Sequence, residues 1–270
     1  MKLQVLVAAM HQTDLSLANK MNIQCDAIIA NQHDKYSVDE QITTHGKIKM
    51  ITTPTRGVGL NRNIALMAAD ADILLFADDD SVYYDNSFKE VVEAFESLPD
   101  ADVMFFGLDM TKNGEIFDKR RHPIKQLHLY NALKFGGARM AVRKDAILKH
   151  EICFSHLFGG GCIYGSGEDS LFIRDCFKAG LKVYSHSCVL GTCAKDSSSW
   201  FTGYNEKYIY DKGAWIACAF PKIKHLIKWY FVYRFAKKSG FSFAKTAEFI
   251  DKGIVGFKTL TTYNQIKNSI

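Results

Sequence analysis

The run Ile73-Leu74-Leu75-Phe76-Ala77-Asp78-Asp79-Asp80 decides how the rest of the chain is read. Four large apolar residues in a row, bounded by charge, predict a strand buried on both faces, as in a parallel sheet. Three consecutive carboxylates end it. Like charges packed this closely repel, so there are two readings. Either a solvated acidic turn closes the strand, or a hard divalent cation, Mn²⁺ or Mg²⁺, draws on the carboxylate oxygens. The end of a buried strand in an open α/β sheet is also where ligands bind. On this run alone both readings stay open.

Upstream, residues 3–9 read as a strand that stops at Met10-His11-Gln12, and residues 15–21 as a short helix. Ala27-Ile28-Ile29-Ala30 is a second buried strand, followed by Asn31-Gln32-His33-Asp34. Residues 48–52 give a third, and Pro54-Thr55-Arg56-Gly57-Val58-Gly59 a loop by its proline and glycine content. Residues 61–71 form a helix with Ile64, Leu66, Met67 and Ala68 able to face a sheet. Strands and helices alternating over short connections predict an α/β domain with a mostly parallel sheet. Downstream come an amphipathic helix at 87–98, a strand at 102–108, a polar irregular stretch at 110–130 and a strand at 139–143. The glycine-rich stretch 158–167 suits a mobile loop. Glu168-Asp169 then opens a helix over 170–179, ended by Gly180. Acids at a helix start suit its dipole, so simple capping accounts for them if nothing else is known.

A chain of 270 residues, 47% hydrophobic, can bury a sizeable core. It opens on a strand pattern, so no signal peptide is expected, and no apolar run reaches the roughly 18 residues of a spanning helix. Seven cysteines without a CxxC pair read as reduced core thiols of a cytoplasmic protein. The net charge of +5 is uneven. From Asn205 onward 12 Lys/Arg face 4 Asp/Glu, a net +8, which leaves −3 for the first 204 residues. A nucleic-acid-binding protein would carry its basicity across the main domain, so no nucleic-acid partner is expected.

Several features together resemble the inverting family 2 glycosyltransferases of GT-A fold. They are Arg62-Asn63-Ile64-Ala65 on a helix, the hydrophobic strand ending in Asp78-Asp79-Asp80, and Gly167-Glu168-Asp169-Ser170-Leu171-Phe172 followed by Arg174 and Gly180. The resemblance covers roughly residues 1–200 and extends, in kind, to transferases of bacterial capsule and surface polysaccharides. It implies a metal-dependent transfer of a sugar from a nucleotide-diphosphate donor, with a UDP-sugar favoured. The acceptor would be a hydroxyl of a glycan or of a polyprenyl-diphosphate-linked glycan. Asp78 and Asp80 would hold Mn²⁺ or Mg²⁺, with His186 as a further candidate ligand. Ala8, Ala9, His11, Asn31, Gln32, Arg56, Arg62, Asp78 and Asp79 would line the nucleotide-sugar site. Asp169 would be the base and Glu168 would orient the acceptor. Family members usually carry acids where this chain has Asn31 and Gln32; an amide can still pair with uracil, or with another base. The hydroxyl-rich run Asp196-Ser197-Ser198-Ser199-Trp200 would belong to a closing loop.

The expected organisation is a GT-A catalytic domain over 1–204 and a helical, basic, aromatic extension over 205–270. Within 221–238, Ile223, Leu226, Ile227, Tyr230, Phe231 and Val232 form a broad apolar arc among lysines. That pattern fits an interfacial helix on anionic lipid, placing the protein at the inner face of the cell membrane. It fits equally an amphipathic helix packed on the catalytic domain. Two rival functions are a sugar-phosphate nucleotidyltransferase and a non-catalytic carbohydrate- or lipid-surface-binding protein. The first lacks its glycine-rich phosphate loop after the first strand, where this chain reads Ala8-Ala9-Met10-His11-Gln12.

Overall fold

The computed structural model describes residues 1–194 and 203–267; the run at 196–200 therefore lies outside the described residues. The chain divides into two compact units, Met1–Ser155 with Asp169–Ser197, and His156–Glu168 with Ser198–Ile270.

The first unit carries β1 (Leu3–Met10), α1 (Leu17–Lys20), β2 (Asp26–Gln32), β3 (Ser37–Ile42), β4 (Lys47–Thr53), α2 (Val58–Ala68), β5 (Ile73–Asp78) and β6 (Ser81–Tyr83). It continues with α3 (Ser87–Ser97), β7 (Val103–Lys112), β8 (Glu115–Asp118), β9 (Lys125–Gln126), α4 (Leu129–Ala132), β10 (Met140–Arg143) and α5 (Lys144–Lys149). Beyond the segment 156–168 it resumes with α6 (Glu168–Lys178) and β11 (Val183–Ala194). The strands form one mixed sheet in the order β3-β4-β2-β1-β5-β10-β7-β11-β6. The four strands β4, β2, β1 and β5 run parallel, while β10 lies antiparallel between β5 and β7.

Pleating explains why the continuous apolar runs are needed. On β5, Ile73, Leu75 and Ala77 enter one core with α1 and α3. Leu74 and Phe76 enter the other, with α2, α5 and α6. A strand with helices on both faces has no polar side. Asp78 continues the parity of Leu74 and Phe76 and so reaches toward α2 and α6. Helix α2 is tied down by its own polar residues. Asn61 Nδ2 donates to the carbonyls of Ala9 and Ala30. Asn63 exchanges two hydrogen bonds with the Phe154 backbone, at 2.9 and 2.8 Å. Asn63→Ala would strand a buried N–H and a buried C=O, and should cost roughly 2–4 kcal/mol of stability. Urea unfolding of the variant checks this, and a loss below about 1 kcal/mol would mean water replaces the side chain.

Four strands escape the sequence pattern, the short β6 and β9 together with β3 and β8. β3 is an edge strand exposed over nearly its whole length, so it has no apolar alternation to find. Its Glu40 pairs with Lys47 and Lys49 of β4. β8 lies in the stretch expected to be irregular and folds back on β7. The usable signal was Asn113-Gly114, both at positive φ, the favoured two-residue hairpin turn.

The second unit is helical, with α7 (Glu206–Ala219), α8 (Lys224–Ser239), α9 (Phe243–Thr259) and α10 (Tyr263–Lys267). α7 and α9 cross where Gly213 meets Gly253; a Cβ at either would run into the other helix's backbone. The segment 156–168 belongs to this unit, whereas the expected boundary was a single cut after residue 204. The reason is anchoring: Phe158 and Tyr164 are fully buried, Tyr164 Oη donates to the Gly256 carbonyl, and the Gly165 N–H donates to Asp211. A glycine-rich composition had read as mobility; two buried aromatics hold it instead. α8 buries Lys228, Val232 and Phe235. Of the apolar arc, Val232 is buried while Ile223, Leu226 and Tyr230 are 49%, 72% and 57% exposed; Trp229 and Tyr233, outside the arc, are 53% and 76% exposed. No described helix is long and apolar enough to cross a membrane.

Candidate active site

The carboxyl ends of β1, β2, β4 and β5 gather most of the residues singled out in the sequence. Ala8 lies in register with Asp78, and Ala9 with Asn31. The chain then turns at His11, whose φ is +56° and whose ring meets His33 edge-on at 5.9 Å. Asn31 is fully buried: its Nδ2 donates to the Gln12 carbonyl and to Thr52, while its Oδ1 accepts from the Gln12 N–H. Gln32 is likewise buried and donates to the Gly57 carbonyl. Asn31 commits both ends of its amide to Gln12 and Thr52, as a buried amide must be satisfied, while Gln32 gives one N–H to the 57 loop. Arg56 sits outside on the same rim, paired with Asp34 at 2.9 Å.

At the end of β5 the three acids differ. Asp78 accepts from Arg62 Nη2 at 2.8 Å. Asp79 accepts from the Met10 N–H at 3.3 Å, and its carboxyl is pushed up by the surrounding protein. The Asp80 carboxylate has the Cys193 thiol, at 3.3 Å, as its hydrogen-bonding side chain among the described residues. Burial and the Asp78 charge raise Asp80 to about 6. Of the three acids only Asp78 has a cationic partner among the described residues, so negative charge is concentrated at this strand end. Among the described residues no group of three His, Cys, Asp or Glu is arranged to hold a metal. Two carboxylates with water and substrate phosphate completing the shell is the usual Mg²⁺ pattern.

His186 is not brought to this cluster. Its ring packs on Phe106, its Nδ1 accepts from the Cys188 N–H, and Glu90 is its charged neighbour. Asp80's neighbour Cys193 lies seven residues further along β11, a distance of roughly 20 Å.

The two halves of the sequence pattern do meet. Arg62, 3% exposed, donates from Nη2 to Asp78 and from Nη1 to Asp169 at 2.5 Å. Asp169 Oδ2 also accepts from the Gly137 N–H at 2.8 Å. A Cβ at Gly137 would lie 2.5 Å from Asp169 Oδ1, so a side chain there would displace the carboxylate from its place between Arg62 and the Gly137 N–H. Beneath the guanidinium lies Phe154, 5.3 Å from its carbon, stacked on Phe172 and edge-on to Phe76. A buried arginine is costly to leave uncompensated, and two carboxylates compensate this one. Glu168, at the first turn of α6, accepts from its own Gly167 N–H and is felt by Lys212, whose pKa burial lowers to about 8. Lys212, Asp211 and Gly137 were not singled out from sequence; none stands in a recognisable spacing.

Residues 9–154 match the family model for glycosyl transferase family 2. The chain belongs to glycosyl transferase family 2. Among solved structures, the transferase is similar to S. aureus TarS 1-349 in complex with UDP-GlcNAc, at 14% identity and a TM-score of 0.61. That match covers 97% of this chain and 93% of the other. TarS 1-349 in complex with UDP matches at 16% identity and a TM-score of 0.57, covering 100% of this chain and 78% of that one. S. aureus TarS itself matches at 13% and 0.56, covering 98% and 44%. At these identities the likeness shows the fold, which is GT-A. No curated protein matches the chain in sequence.

Proposed function

We propose that this family 2 transferase moves a sugar from a nucleotide-diphosphate donor, a UDP-sugar, to a hydroxyl of a glycan or lipid-linked acceptor, with inversion, in the synthesis of a bacterial surface polysaccharide. The observation that carries the reading is Arg62, which joins the candidate donor-end carboxylate Asp78 to the candidate base Asp169. The TarS complexes with UDP-GlcNAc and UDP support the choice of donor. Asp78 and Asp80 would hold Mn²⁺ or Mg²⁺, which when bound neutralises charge on the departing diphosphate. Asp169 keeps acceptor capacity beyond its bonds to Arg62 and Gly137, since a carboxylate has about four lone-pair sites. It takes the proton of the acceptor hydroxyl as that oxygen attacks the anomeric carbon from the face opposite the diphosphate. Arg62 fixes the carboxylate's orientation for that transfer. Ala8, Ala9, His11, Asp79 and Arg56 line the donor side; Asn31 and Gln32 shape it through the loops they hold. Glu168 faces the acceptor.

Calorimetric titration with UDP, GDP and CDP, each with and without Mn²⁺, tests this. Metal-dependent binding of UDP at micromolar concentration is expected; no binding of any of the three would overturn it.

The exposed stripe of α8 supports peripheral contact with an anionic membrane through 221–238. Leu226, Trp229, Tyr230 and Tyr233 would enter the interface, while Lys222, Lys224, Lys237 and Lys238 add roughly 1 kcal/mol each near the surface. Replacing Leu226, Trp229 and Tyr233 together by Ser should cut co-sedimentation with phosphatidylglycerol vesicles at least tenfold. Unchanged sedimentation would remove the membrane reading.

A further inference from the structure

Most of the arginines drawn into the first unit have oxygen acceptors. Arg62 has two carboxylates, Arg174 has Asp175, Arg121 has Asp109, and Arg143 donates to the carbonyls of Ala101, Phe95 and Pro99. Arg139 is different. It is 7% exposed, and among the described residues its one hydrogen bond is with His122 Nε2, at 3.1 Å. Its guanidinium lies 4.8 Å over the Phe135 ring, which stacks on Phe105 and meets His122 edge-on. Lys134 Nζ approaches the same ring at 5.6 Å.

The surrounding charges do not pay this one off. Asp118 is the acid near enough to be felt, but it is paired with Arg120, and Asp109 is paired with Arg121. Arg139 and Lys134 are left as cations without a carboxylate among the described residues. His122 is pushed down by burial and by Arg139, Lys134, Arg120 and Lys125. Burial and the Arg120 charge likewise bring Arg139 down to about 10. Burying a guanidinium without a carboxylate costs stability, and an anion brought by a ligand would offset that cost. The planar fork of arginine matches a phosphate with two parallel hydrogen bonds. The site also has an address. Arg139 ends the short 3-10 turn Gly137–Arg139, and that turn begins with the N–H that holds Asp169.

We propose that Arg139, with His122 and Lys134 around the Phe135 platform, binds a phosphate group of the acceptor beside the base Asp169. The phosphate site stands on Arg139's own surroundings; its assignment to the acceptor rests on the reading of Asp169 as base. The transferase would thus select a phosphorylated acceptor, a phosphodiester polymer or a phosphate-linked glycan, over a neutral sugar.

The test is titration of the full chain with inorganic phosphate, followed by calorimetry and by the ring-proton NMR signal of His122. Saturable millimolar binding is expected, with the His122 pKa rising on saturation, as an adjacent anion requires. R139Q should weaken binding at least tenfold, and K134Q, at an exposed position, two- to threefold. K134Q and R139K keep the test open if R139Q fails to fold. Absence of saturable binding, or equal binding by R139Q and K134Q with an unmoved His122, would overturn the proposal. A second titration adds UDP with Mn²⁺. Simultaneous binding of phosphate and UDP supports the acceptor assignment; stoichiometric displacement of phosphate by UDP overturns it by making this the donor's diphosphate seat. Loss of phosphate binding with intact UDP binding would leave the transferase reading standing, so the two can fail separately.

Discussion

Asp169→Asn should lower sugar transfer ~10²–10⁴-fold, the usual worth of a positioned base, while UDP affinity stays within a few-fold. The amide is nearly isosteric but cannot take a proton. It also cannot repeat both contacts, because one terminal atom becomes an N–H donor facing either Arg62 or Gly137, which are donors themselves. A modest stability loss, about 1–3 kcal/mol, accompanies it. Steady-state kinetics with UDP binding on the same preparation separates the two effects. Transfer within threefold of the parent enzyme would remove Asp169 from the base role and leave it as a structural partner of Arg62.

Asp80→Asn should do something less usual: abolish metal-dependent UDP binding and make the protein more stable. Asp80 is raised to about 6 by burial and by Asp78, so its charge is held in the folded state at a cost. The sign is opposite to that of an ordinary salt-bridged aspartate. With a folded pKa above the unfolded value, the folded state binds the extra proton. This group's destabilisation is therefore present above about pH 6 and fades as pH falls toward 4. Removing the charge should raise stability at pH 7.5 by roughly 1–3 kcal/mol, with little gain left at pH 4. Thermal melts at the two pH values, without added metal, read it directly. A variant less stable than the parent at pH 7.5 would show that Asp80 serves the fold and is no cation seat.

What the sequence disclosed follows from what each residue has to satisfy. β5 was legible because a strand covered on both faces must be apolar throughout, and its acidic end had to have a reason. α2 and α6 were legible by periodicity and by their terminal residues. The join between them was not: Arg62 and Asp169 are 107 residues apart, and only the family resemblance put them on one page. Asn31 and Gln32 close β2, but a residue letter does not say whether an amide faces a ligand or a loop. α8 kept two readings open because aromatic residues occupy most of its circumference, so hydrophobicity alone could not choose the face that buries Val232 and Phe235. Arg139 was read as the first residue of a strand. Its want of a carboxylate exists only once Asp118 and Asp109 have been claimed by other arginines.

The position of β11 bears on how the molecule is made. It lies between β7 and β6, yet its residues leave the ribosome some 70 to 110 residues after those neighbours. Until then the nascent chain holds β7, with its buried run Val103–Leu108, as an unpaired hydrophobic edge, the kind of surface that recruits other chains. A fragment ending at residue 154, where the family match stops, would keep that edge permanently open and lack Asp169 as well. For expression work, the shortest piece with a closed sheet must reach Ala194, and chaperone dependence should fall once synthesis has passed it.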